Sequence, residues 1–561
     1  MGLQLPSARR LSRERISRSV VLEQVHMGKR KDSRRELLRL TGAAVLGMGT
    51  RGAVNAVAPQ RGPRQGVSTD FNVRDFGATG DGKTLDTLSI NKAIAAAAAM
   101  GGGTVHLPPG IYLCHSIHLK SHVRLQLTSG TVILAADPPK VGGDQGYDVP
   151  ESNQPWEGYQ DFGHSHWHNS LIWGEGLENL SICGPGLIWG RGISRGEFQG
   201  PIAEVPGVAN KAIALKNCHD VILRDFSLLH GGHLGILSTG VDNLTIENVT
   251  IDTNRAGIDM DCCCNVRVSN CSINAPWDDA ICLKSSFALG FARSTEMITI
   301  SDCMVSGSFE EGSLIDGTFR RFPRDADIDR NGRIKLGTES NGGFKNIVIT
   351  NCLFDGCFGM AILSVDGAVI EDVCISNLTM RDTVASPIFV RLGSRMRGPA
   401  GTPVGVIRRV SISNIVSSST SSLICSIITG IPNHKIESFR LSNIVIQHSG
   451  GGTRVEAARQ LEEKEREYPE TDMFGNTPAH GLFIRHVEDI AVNNCKVVSS
   501  AKDARPCFVL NDVQRADFSN IKADLAANTP VFILDNARDI RVGRCNSLPD
   551  TEIAEAKHKE L

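Results

Sequence analysis

The chain has 561 residues, of which 41% are hydrophobic and 21% are charged, and its formal net charge is −2. This near-neutral balance excludes a nucleic-acid binder that works through a strongly basic face. No apolar run reaches the roughly 18 residues of a membrane span. We therefore expect a large protein, monomeric, with neither a nucleic-acid partner nor a membrane span.

Residues 1–58 predict an export signal of the twin-arginine type. The pair Arg34 and Arg35 precedes an apolar stretch from Leu40 to Met48, and small residues from Ala53 to Ala58 supply a cleavage zone. The alternative is a basic tail without an export function, and Met27 is an alternative start. Because twin-arginine export carries folded proteins, the prediction is a periplasmic or secreted protein.

An alanine-rich segment from Asp86 to Met100 predicts a helix that ends at the glycines of 101–103. The segment stands directly before the first strand-like residues, beginning at Thr104. We expect this short N-terminal helix to cap the end of a repeat structure, which would otherwise expose an open sheet edge.

One short phrase then recurs twelve times: a polar pair, alternating apolar residues, and an Asn or Asp. Within each phrase the period of two indicates a strand with one buried face. The intervals between phrases fall to a minimum of 22 residues, with longer intervals that indicate loop insertions. The phrases begin at Glu178, His219, Asp242, Cys264, Glu296, Lys345, Glu371, Arg408, Glu437, Glu488, Gln514 and Arg538.

A unit of about 22 residues that cannot bury its own apolar face must stack on its neighbours. This predicts an all-β, single-domain parallel β-helix over residues 70–545, followed by a polar C-terminal tail at 546–561. A leucine-rich repeat is the rival at this period, but it would need regular Leu and a helix in every unit. The Asn after each strand fits a left-handed turn position or a side-chain ladder.

Sixteen cysteines in an exported chain could indicate disulfides. Several, however, recur at one phase of the repeat. They are Cys271, Cys303, Cys352 and Cys495. A small apolar residue at one repeated position favours a buried stack.

When three successive units are aligned by their alternating apolar residues, their carboxylates fall close together. This superposition places Arg255 to Asp261 beside Asp278 to Lys284, and these beside Glu310 to Asp316. It predicts one column of His233, Arg255, Asp278 and Glu310, and another of Asp261, Lys284 and Asp316. Neighbouring coils lie about 4.8 Å apart, so charges in one column should shift each other's pKa values.

Asp278 and Asp279 next to Asp259 supply the groups that glycoside hydrolysis needs. One carboxyl group must donate a proton to the leaving oxygen, and an ionised one must activate water. We therefore predict Asp278, Asp279 and Asp259 as catalytic residues. A solvated ladder of acidic turn residues, or a calcium site, is the alternative.

Three segments resemble glycoside hydrolase family 28, which holds polygalacturonases and rhamnogalacturonan hydrolases. They begin at Phe71-Asn-Val-Arg-Asp-Phe-Gly, Gly257-Ile-Asp-Met-Asp and Trp277-Asp-Asp-Ala-Ile. The resemblance implies a right-handed parallel β-helix and inverting hydrolysis of pectic chains without a cofactor. It implies that Asp278 is the general acid and that Asp279 helps to activate water.

The chain departs from the family's motifs at several positions. The family's Asn-Thr-Asp reads Asn254-Arg255-Ala256, its Gly-His-Gly aligns with Asn331-Gly332-Arg333, and its Arg-Ile-Lys aligns with Ala361-Ile362-Leu363. An Arg333-Ile334-Lys335 does occur, but its position predicts a different coil. The departures favour a branched or rhamnose-containing pectin, or another glycan, over plain polygalacturonate.

Further polar residues near the aspartates are predicted to hold an acidic sugar, since Arg and Lys suit carboxylates. The predicted substrate-binding residues are Asn254, Asp261, Lys284, Lys335, Glu339 and Arg391. Two other functions stay open. One is calcium-dependent β-elimination of the pectate-lyase type, and the other is carbohydrate binding without catalysis.

We expect neither a metal nor another cofactor. Asp327 to Asn331 resembles the first half of a calcium loop, but a polar insertion is favoured. The alternating His164, His166 and His168 are interpreted as a polar loop at the edge of the cleft rather than a zinc site. Residues 455–468 predict a short charged helix on an inserted loop, solvated at the surface.

Overall fold

The computed structural model describes residues 69–139, 146–194, 205–323, 325–419 and 423–561. The predicted export signal lies outside these residues. Strands of neighbouring coils pair in parallel, each with the strand one coil further along the chain. The described residues therefore form the predicted parallel β-helix, with three sheets along its length. Within them, no helix is both long and apolar enough to cross a bilayer.

The strands sort by pairing into three sheets. The first sheet contains Ile117–His118, Ser170–Glu175, Lys211–Lys216, Leu234–Thr239, Ala256–Asp261, Ile281–Ser285, Ile334–Ser340, Met360–Ser364, Ile388–Leu392 and Ser426–Thr429. The second contains Asp70–Asn72, Gly103–Leu107, Val123–Leu127, Glu178–Cys183, His219–Arg224, Asp242–Glu247, Cys264–Ser269 and Thr295–Ser301. The third contains Asp81–Leu85, Gly110–Cys114, Thr131–Ala135, Leu187–Trp189, Ser227–Leu229, Thr250–Asp252, Ser272–Asn274 and Met304–Ser306.

Later strands run through more than one sheet without a break. Four of them join the second and third sheets: Phe344–Asp355, Val369–Thr383, Val406–Ser419 and Ile436–His448. Three further strands continue from the first sheet onward: Leu482–Ser499, Phe508–Ala523 and Phe532–Gly543. The last strand, Thr551–Glu560, is antiparallel to its neighbour.

The register of the second sheet follows the repeated phrases. The first residues of all twelve phrases, from Glu178 to Arg538, lie opposite one another in a single row. The register holds because a slip of one residue would turn every apolar side chain of a strand out of the core. The predicted repeat is therefore confirmed.

The Asn after each strand has both of the properties predicted for it. Asn351, Asn377, Asn414, Asn443 and Asn494 all have positive φ between 53° and 56°. Each amide Nδ2 from Asn377 onward donates to the Oδ1 of the preceding Asn, at 2.8–3.0 Å. The left-handed turn and the side-chain ladder thus occur together. Alongside them, Cys271, Cys303, Cys352 and Cys495 are buried as the predicted stack.

Both ends of the solenoid are covered. The helix Thr87–Ala99 buries Ile90, Ala93, Ile94 and Ala97 against the first coils, as predicted. At the other end the structure differs from the predicted polar tail of 546–561. The strand Thr551–Glu560 pairs along Phe532–Gly543 and buries Ile553 and Ala556. It is polar in sequence because only one of its faces is covered.

Long insertions flank the first sheet. One of them, residues 449–481, crosses the outside of this sheet, and we call it the strap. Its residues 455–468 were predicted as a solvated helix, but the strap is helical only in the short α-helical turn Arg454–Ala457 and the 3-10 turn Thr471–Phe474. Its Phe474 and Ala479 are buried against Phe389, Ile427 and Phe483, in an apolar cluster separate from the main core.

Candidate functional site

The predicted aspartates lie at the turn that leads into the first sheet. Ile258 pairs with Ile281, and so Arg255 stands beside Asp278, as predicted. His233 also stands beside Arg255, and Asp261 beside Lys284, as predicted, but the positions predicted for Glu310 and Asp316 are wrong. Ile281 pairs next with Ile334, because the chain from 307 to 333 is an insertion between two coils. Glu310 and Asp316 lie in that insertion and not in the columns.

Asp278 is the most open of the three predicted catalytic residues, with 24% of its side chain exposed. Its Oδ2 accepts a hydrogen bond from Arg255 Nη2 at 3.1 Å, and its Oδ1 accepts one from the backbone N–H of Asp279 at 2.9 Å. Burial alone would raise the pKa of Asp278, but the positive charges of Arg255 and Lys335 outweigh burial and lower the pKa. Asp278 is therefore ionised in the resting protein.

Asp279 is 3% exposed and lies between two buried cations. Its Oδ1 accepts a hydrogen bond from Arg333 Nε at 3.0 Å, and its Oδ2 is paired with Lys335 Nζ. Burial would lower the pKa of Lys335, but the negative charge of Asp279 outweighs burial and raises this pKa above its usual value. Arg333 and Lys335 lie one coil before Ala361, as predicted. Their contacts with Asp279 were not predicted, because residues 307–333 had been counted as a coil of their own.

Asp259 is also enclosed, with 1% of its side chain exposed. His164 Nε2 lies 3.3 Å from its Oδ2, and Lys284 Nζ lies 4.0 Å from the same atom. His164 was predicted in a polar loop at the edge of the cleft, but its contact with Asp259 was not predicted, because the two residues are 95 positions apart. Asp259 is therefore a buried charge beneath the site, without the access to solvent that Asp278 has.

Glu339 and Lys284 form the far side of the same charged cluster. Lys284 Nζ lies 2.5 Å from Glu339 Oε2, and Arg397 Nη2 lies 2.5 Å from Oε1. Burial alone would raise the pKa of Glu339, but Lys284 and Arg395 hold it well below its usual range. Lys284 and Glu339, predicted to bind substrate, are joined to one another.

Three of the predicted substrate-binding residues do not line an open surface. Asn254 is buried, and Asp261 is fully buried, where it accepts hydrogen bonds from Ser286 N and Oγ. Arg391 is also buried and donates to the carbonyls of Gly430 and Glu463. Their binding of substrate stays a prediction, and the contacts of Asp261 and Arg391 hold loops onto the sheet.

The strap brings a second partly exposed carboxylate to the site. Both oxygens of Glu470 accept from Arg333 Nη2, at 2.8 and 2.9 Å, and 27% of its side chain is exposed. Tyr468 lies over the guanidinium of Arg395, and its hydroxyl accepts from Thr338 Oγ1 at 3.0 Å. Sequence reasoning missed Glu470 and Tyr468, because the strap carries no repeat that would place it in a coil.

Two arginines of the site are partly exposed and incompletely paired. Arg255 Nε and Arg397 Nε have no hydrogen-bond partner among the described residues, although both atoms are buried. On the other side of Arg255, burial and the charge of Arg255 lower the pKa of His233 well below its usual value. His233 is therefore neutral near pH 7. Arg333 and Arg395 also have a buried nitrogen without a partner, but Arg255 and Arg397 are more exposed than either.

Histidines near the site do not share a metal. His164 faces Asp259, whereas His166 Nε2 contacts Asn153 Oδ1 at 3.0 Å. Within the described residues, one group has ligand atoms close enough for an ion: Glu151, His168 and Glu175. Lys216 Nζ lies 2.9 Å from Glu175, so a cation already balances that group.

Two family models match separate parts of the chain. The model described as "Rhamnogalacturonase A/epimerase, pectate lyase-like" matches residues 71–161. The model described as "Right handed beta helix region" matches residues 211–386. The second match agrees with the coil pairing described above and with the predicted handedness.

Relatives of known sequence match shorter parts. A "Probable polygalacturonase" of Vitis vinifera is 26% identical over 247 residues, which are 40% of this chain and 47% of the relative. The "Mannuronan C5-epimerase AlgE3" of Azotobacter vinelandii is 49% identical over 67 residues, which are 12% of this chain and 4% of that protein. The chain thus spans less than half the length of these relatives.

A solved structure shares the fold. The hyperthermoactive exopolygalacturonase from Thermotoga maritima superimposes with a TM-score of 0.57 and 17% identity, over 76% of this chain and 91% of that one. The repeat, the aspartate motifs and these matches agree with one another. The chain is a right-handed parallel β-helix protein that resembles glycoside hydrolase family 28, the family of the polygalacturonases.

Proposed function

We propose that the protein hydrolyses glycosidic bonds of an acidic, pectin-type polysaccharide, and that Asp278 is the carboxyl group at the reacting bond. One observation carries the proposal. Among the three predicted catalytic aspartates, Asp278 alone combines an exposed carboxylate with a neighbouring buried carboxylate, Asp279. The polygalacturonase relative supports the same class of reaction.

The two partly exposed arginines, Arg255 and Arg397, support an acidic substrate. Arg255 and Arg397 are partly exposed, and each has one buried N–H without a partner in the described structure. A buried donor that lacks a partner costs about 1–3 kcal/mol. A sugar carboxylate is the group that best recovers this cost, because it accepts two parallel hydrogen bonds from one guanidinium.

The same contact explains how Asp278 could serve as a general acid although it is ionised at rest. A substrate carboxylate that binds Arg255 competes with Asp278 for this cation and adds a negative charge nearby. Both effects raise the pKa of Asp278, because a carboxyl group loses a stabilising charge and gains a repelling one. Asp278 would then take up the proton that the leaving oxygen needs.

Asp279 is suited to accept a hydrogen bond from the attacking water beside Asp278. Two cations hold its oxygens, and each oxygen keeps a further lone pair with which it can accept a hydrogen bond from water. Asp259, more deeply enclosed, contributes negative charge beneath the pair rather than direct contact with a sugar.

A reducing-sugar assay on pectic fractions tests the proposal. The purified protein is incubated with homogalacturonan, methyl-esterified homogalacturonan and rhamnogalacturonan. We expect new reducing ends from an unesterified acidic fraction and fewer from the esterified one, which lacks free carboxylates for Arg255 and Arg397. Binding without new reducing ends would instead indicate a carbohydrate-binding protein, and an unsaturated product that absorbs ultraviolet light would indicate β-elimination.

We also propose that the protein acts outside the cytoplasm. Its substrate class is a polymer found outside cells, and residues 1–58 carry the paired Arg34 and Arg35 before an apolar stretch. A reporter fused after residue 58 should be exported by the twin-arginine route. Replacement of both arginines by Lys should abolish its export.

A further inference from the structure

We infer that the site is a closed pit that receives one end of a polysaccharide chain, so that the enzyme removes short units from that end rather than cutting within the chain. The inference rests on the proposed function and concerns its mode of action. It follows from what covers the outside of the first sheet on either side of Asp278.

One row of outward-facing residues runs along this sheet, one residue from each coil, and we call it the outer row. It reads Trp173, Ala214, Leu237, Asp259, Cys282, Lys335, Ala361, Phe389, Ile427, Phe483, Val509 and Ile533. Charged residues occur only in its middle, at Asp259 and Lys335. An apolar residue on the outside of a sheet indicates that another part of the chain covers it.

Toward the N-terminus, residues 146–169 provide this cover. Trp167 is buried against Ala214, Leu237 and Ala256, and its Nε1 donates to Thr239 Oγ1 at 2.9 Å. The same segment continues to the edge of the site. A Cβ atom added to Gly163 would lie 3.6 Å from His233 Nδ1. No further sugar ring can pass between this backbone and the sheet.

Toward the C-terminus, the strap provides the cover. Its Phe474 is buried against the outer row, and its main chain is held by two buried arginines. Arg391 donates to the carbonyl of Glu463, and Arg485 donates to that of Leu461. Glu470 then joins the strap to Arg333 beside Asp279. The strap therefore ends the groove one coil beyond Asp278.

A third segment closes the remaining side. Residues 393–405 bring Arg397 to Glu339, and Arg397 Nη1 also lies 3.7 Å from Asp161 of the N-terminal cover. The partly exposed side chains between these covers, Arg255, Asp278 and Glu470, lie at three neighbouring coils. At a coil spacing of about 4.8 Å, three coils span roughly 10 Å. This is about the length of a disaccharide, and it leaves no path for a polymer to run through.

The products of the wild-type protein test the inference. On a fraction that it hydrolyses, size-exclusion chromatography should show monomers or dimers from the earliest time points, while the viscosity of the polymer falls slowly. An oligosaccharide with a bulky label at one of its two ends should resist hydrolysis, and the same label at the other end should have little effect. Oligomers of intermediate size at early times would overturn the inference.

A binding measurement separates this inference from the proposed function. Asp278→Asn removes the proton donor and keeps the covers, and calorimetry with defined chain lengths gives the number of proteins bound per chain. We expect about one per chain, whatever its length. A number that grows with chain length would overturn the closed pit. One protein per chain without any hydrolysis by the wild type would overturn the proposed function and leave chain-end binding standing.

Discussion

Arg255 controls the charge state of Asp278. It stands where the related family motif has a small hydroxyl residue, and its Nη2 makes the ion pair that keeps Asp278 ionised. The protonation state of Asp278 therefore depends on a cation that the substrate itself can bind. This arrangement links the recognition of an acidic sugar to the proton that its hydrolysis requires.

Substitution of Asp278 by Asn should remove most hydrolysis without unfolding the protein. General acid catalysis typically contributes about 10²- to 10⁴-fold, and an amide cannot supply the proton. We expect kcat to fall within that range, with an unchanged far-ultraviolet circular dichroism spectrum. Asp539→Asn, on the exposed turn of a late coil, serves as the matched control and should keep full activity. Full activity of Asp278→Asn would contradict its assignment.

Substitution of Arg255 by Gln should shift the pH dependence of kcat/KM. Asp278 must be protonated to act, and its pKa is lowered by Arg255, so activity of the free enzyme falls as pH rises through this low pKa. Removal of the cation raises the pKa, and the alkaline limb of the profile should move to higher pH. The pH profile of kcat/KM measures this shift. Arg224→Gln, on the second sheet, should leave the limb in place.

At the scale of single elements, the strap was the least predictable part of the structure. Its sequence is charged, and no local pattern indicates that Phe474 and Ala479 are buried. Their burial depends on the outer row of the first sheet, which is known only once the coils are stacked. The repeated phrases were predictable for the opposite reason, because each carries its own period and its own turn residue.

Substitution of Arg391 by Met should loosen the strap. The change keeps most of the side-chain volume and removes the donors to Gly430 O and Glu463 O, both of which lie in a buried region. Hydrogen bonds to charged groups are each worth about 1.5–3 kcal/mol. We expect faster proteolysis within 449–481 than in the wild type. Unchanged cleavage there would mean that Arg391 does not anchor the strap.

The asparagine ladder permits a test of two separate contributions to stability. Asn443→Ala removes two ladder hydrogen bonds and places a β-carbon in a left-handed turn. We expect a loss of about 2 kcal/mol in the free energy of unfolding. Asn443→Gly removes the same bonds without the backbone cost and should lose less. Equal losses in denaturant titrations would show that the turn geometry contributes nothing.

For the whole molecule, the sequence predicted the type of fold, the register and the place of Asp278 beside Arg255. It did not predict the ion pairs of Asp279 with Arg333 and Lys335. To predict these ion pairs, residues 307–333 must be recognised as an insertion. This is difficult because their number is close to the number of residues in one coil. The aspartates of the site were thus predicted, and the contacts of its cations were not.

Removal of residues 550–561 should cause self-association. The strand Thr551–Glu560 covers the last strand of the solenoid and buries Ile553 and Ala556. An uncovered edge of this kind is a template for pairing with another chain. We expect light scattering to show oligomers that increase with concentration, whereas the full chain stays monomeric. A monomeric truncated protein would show that this edge needs no cover.

In the described residues the insertions flank the first sheet. From Asp225 onward the turns between the second and third sheets have two residues, and from Phe344 onward single strands run through both sheets. The residues that set the register therefore lie on one side of the molecule, and the residues that shape the pit lie on another. Sequence changes in the insertions around the pit therefore leave the asparagine ladder and the core unchanged. Such a scaffold can acquire a new sugar specificity by exchange of its loops, without a change in the residues that determine the fold.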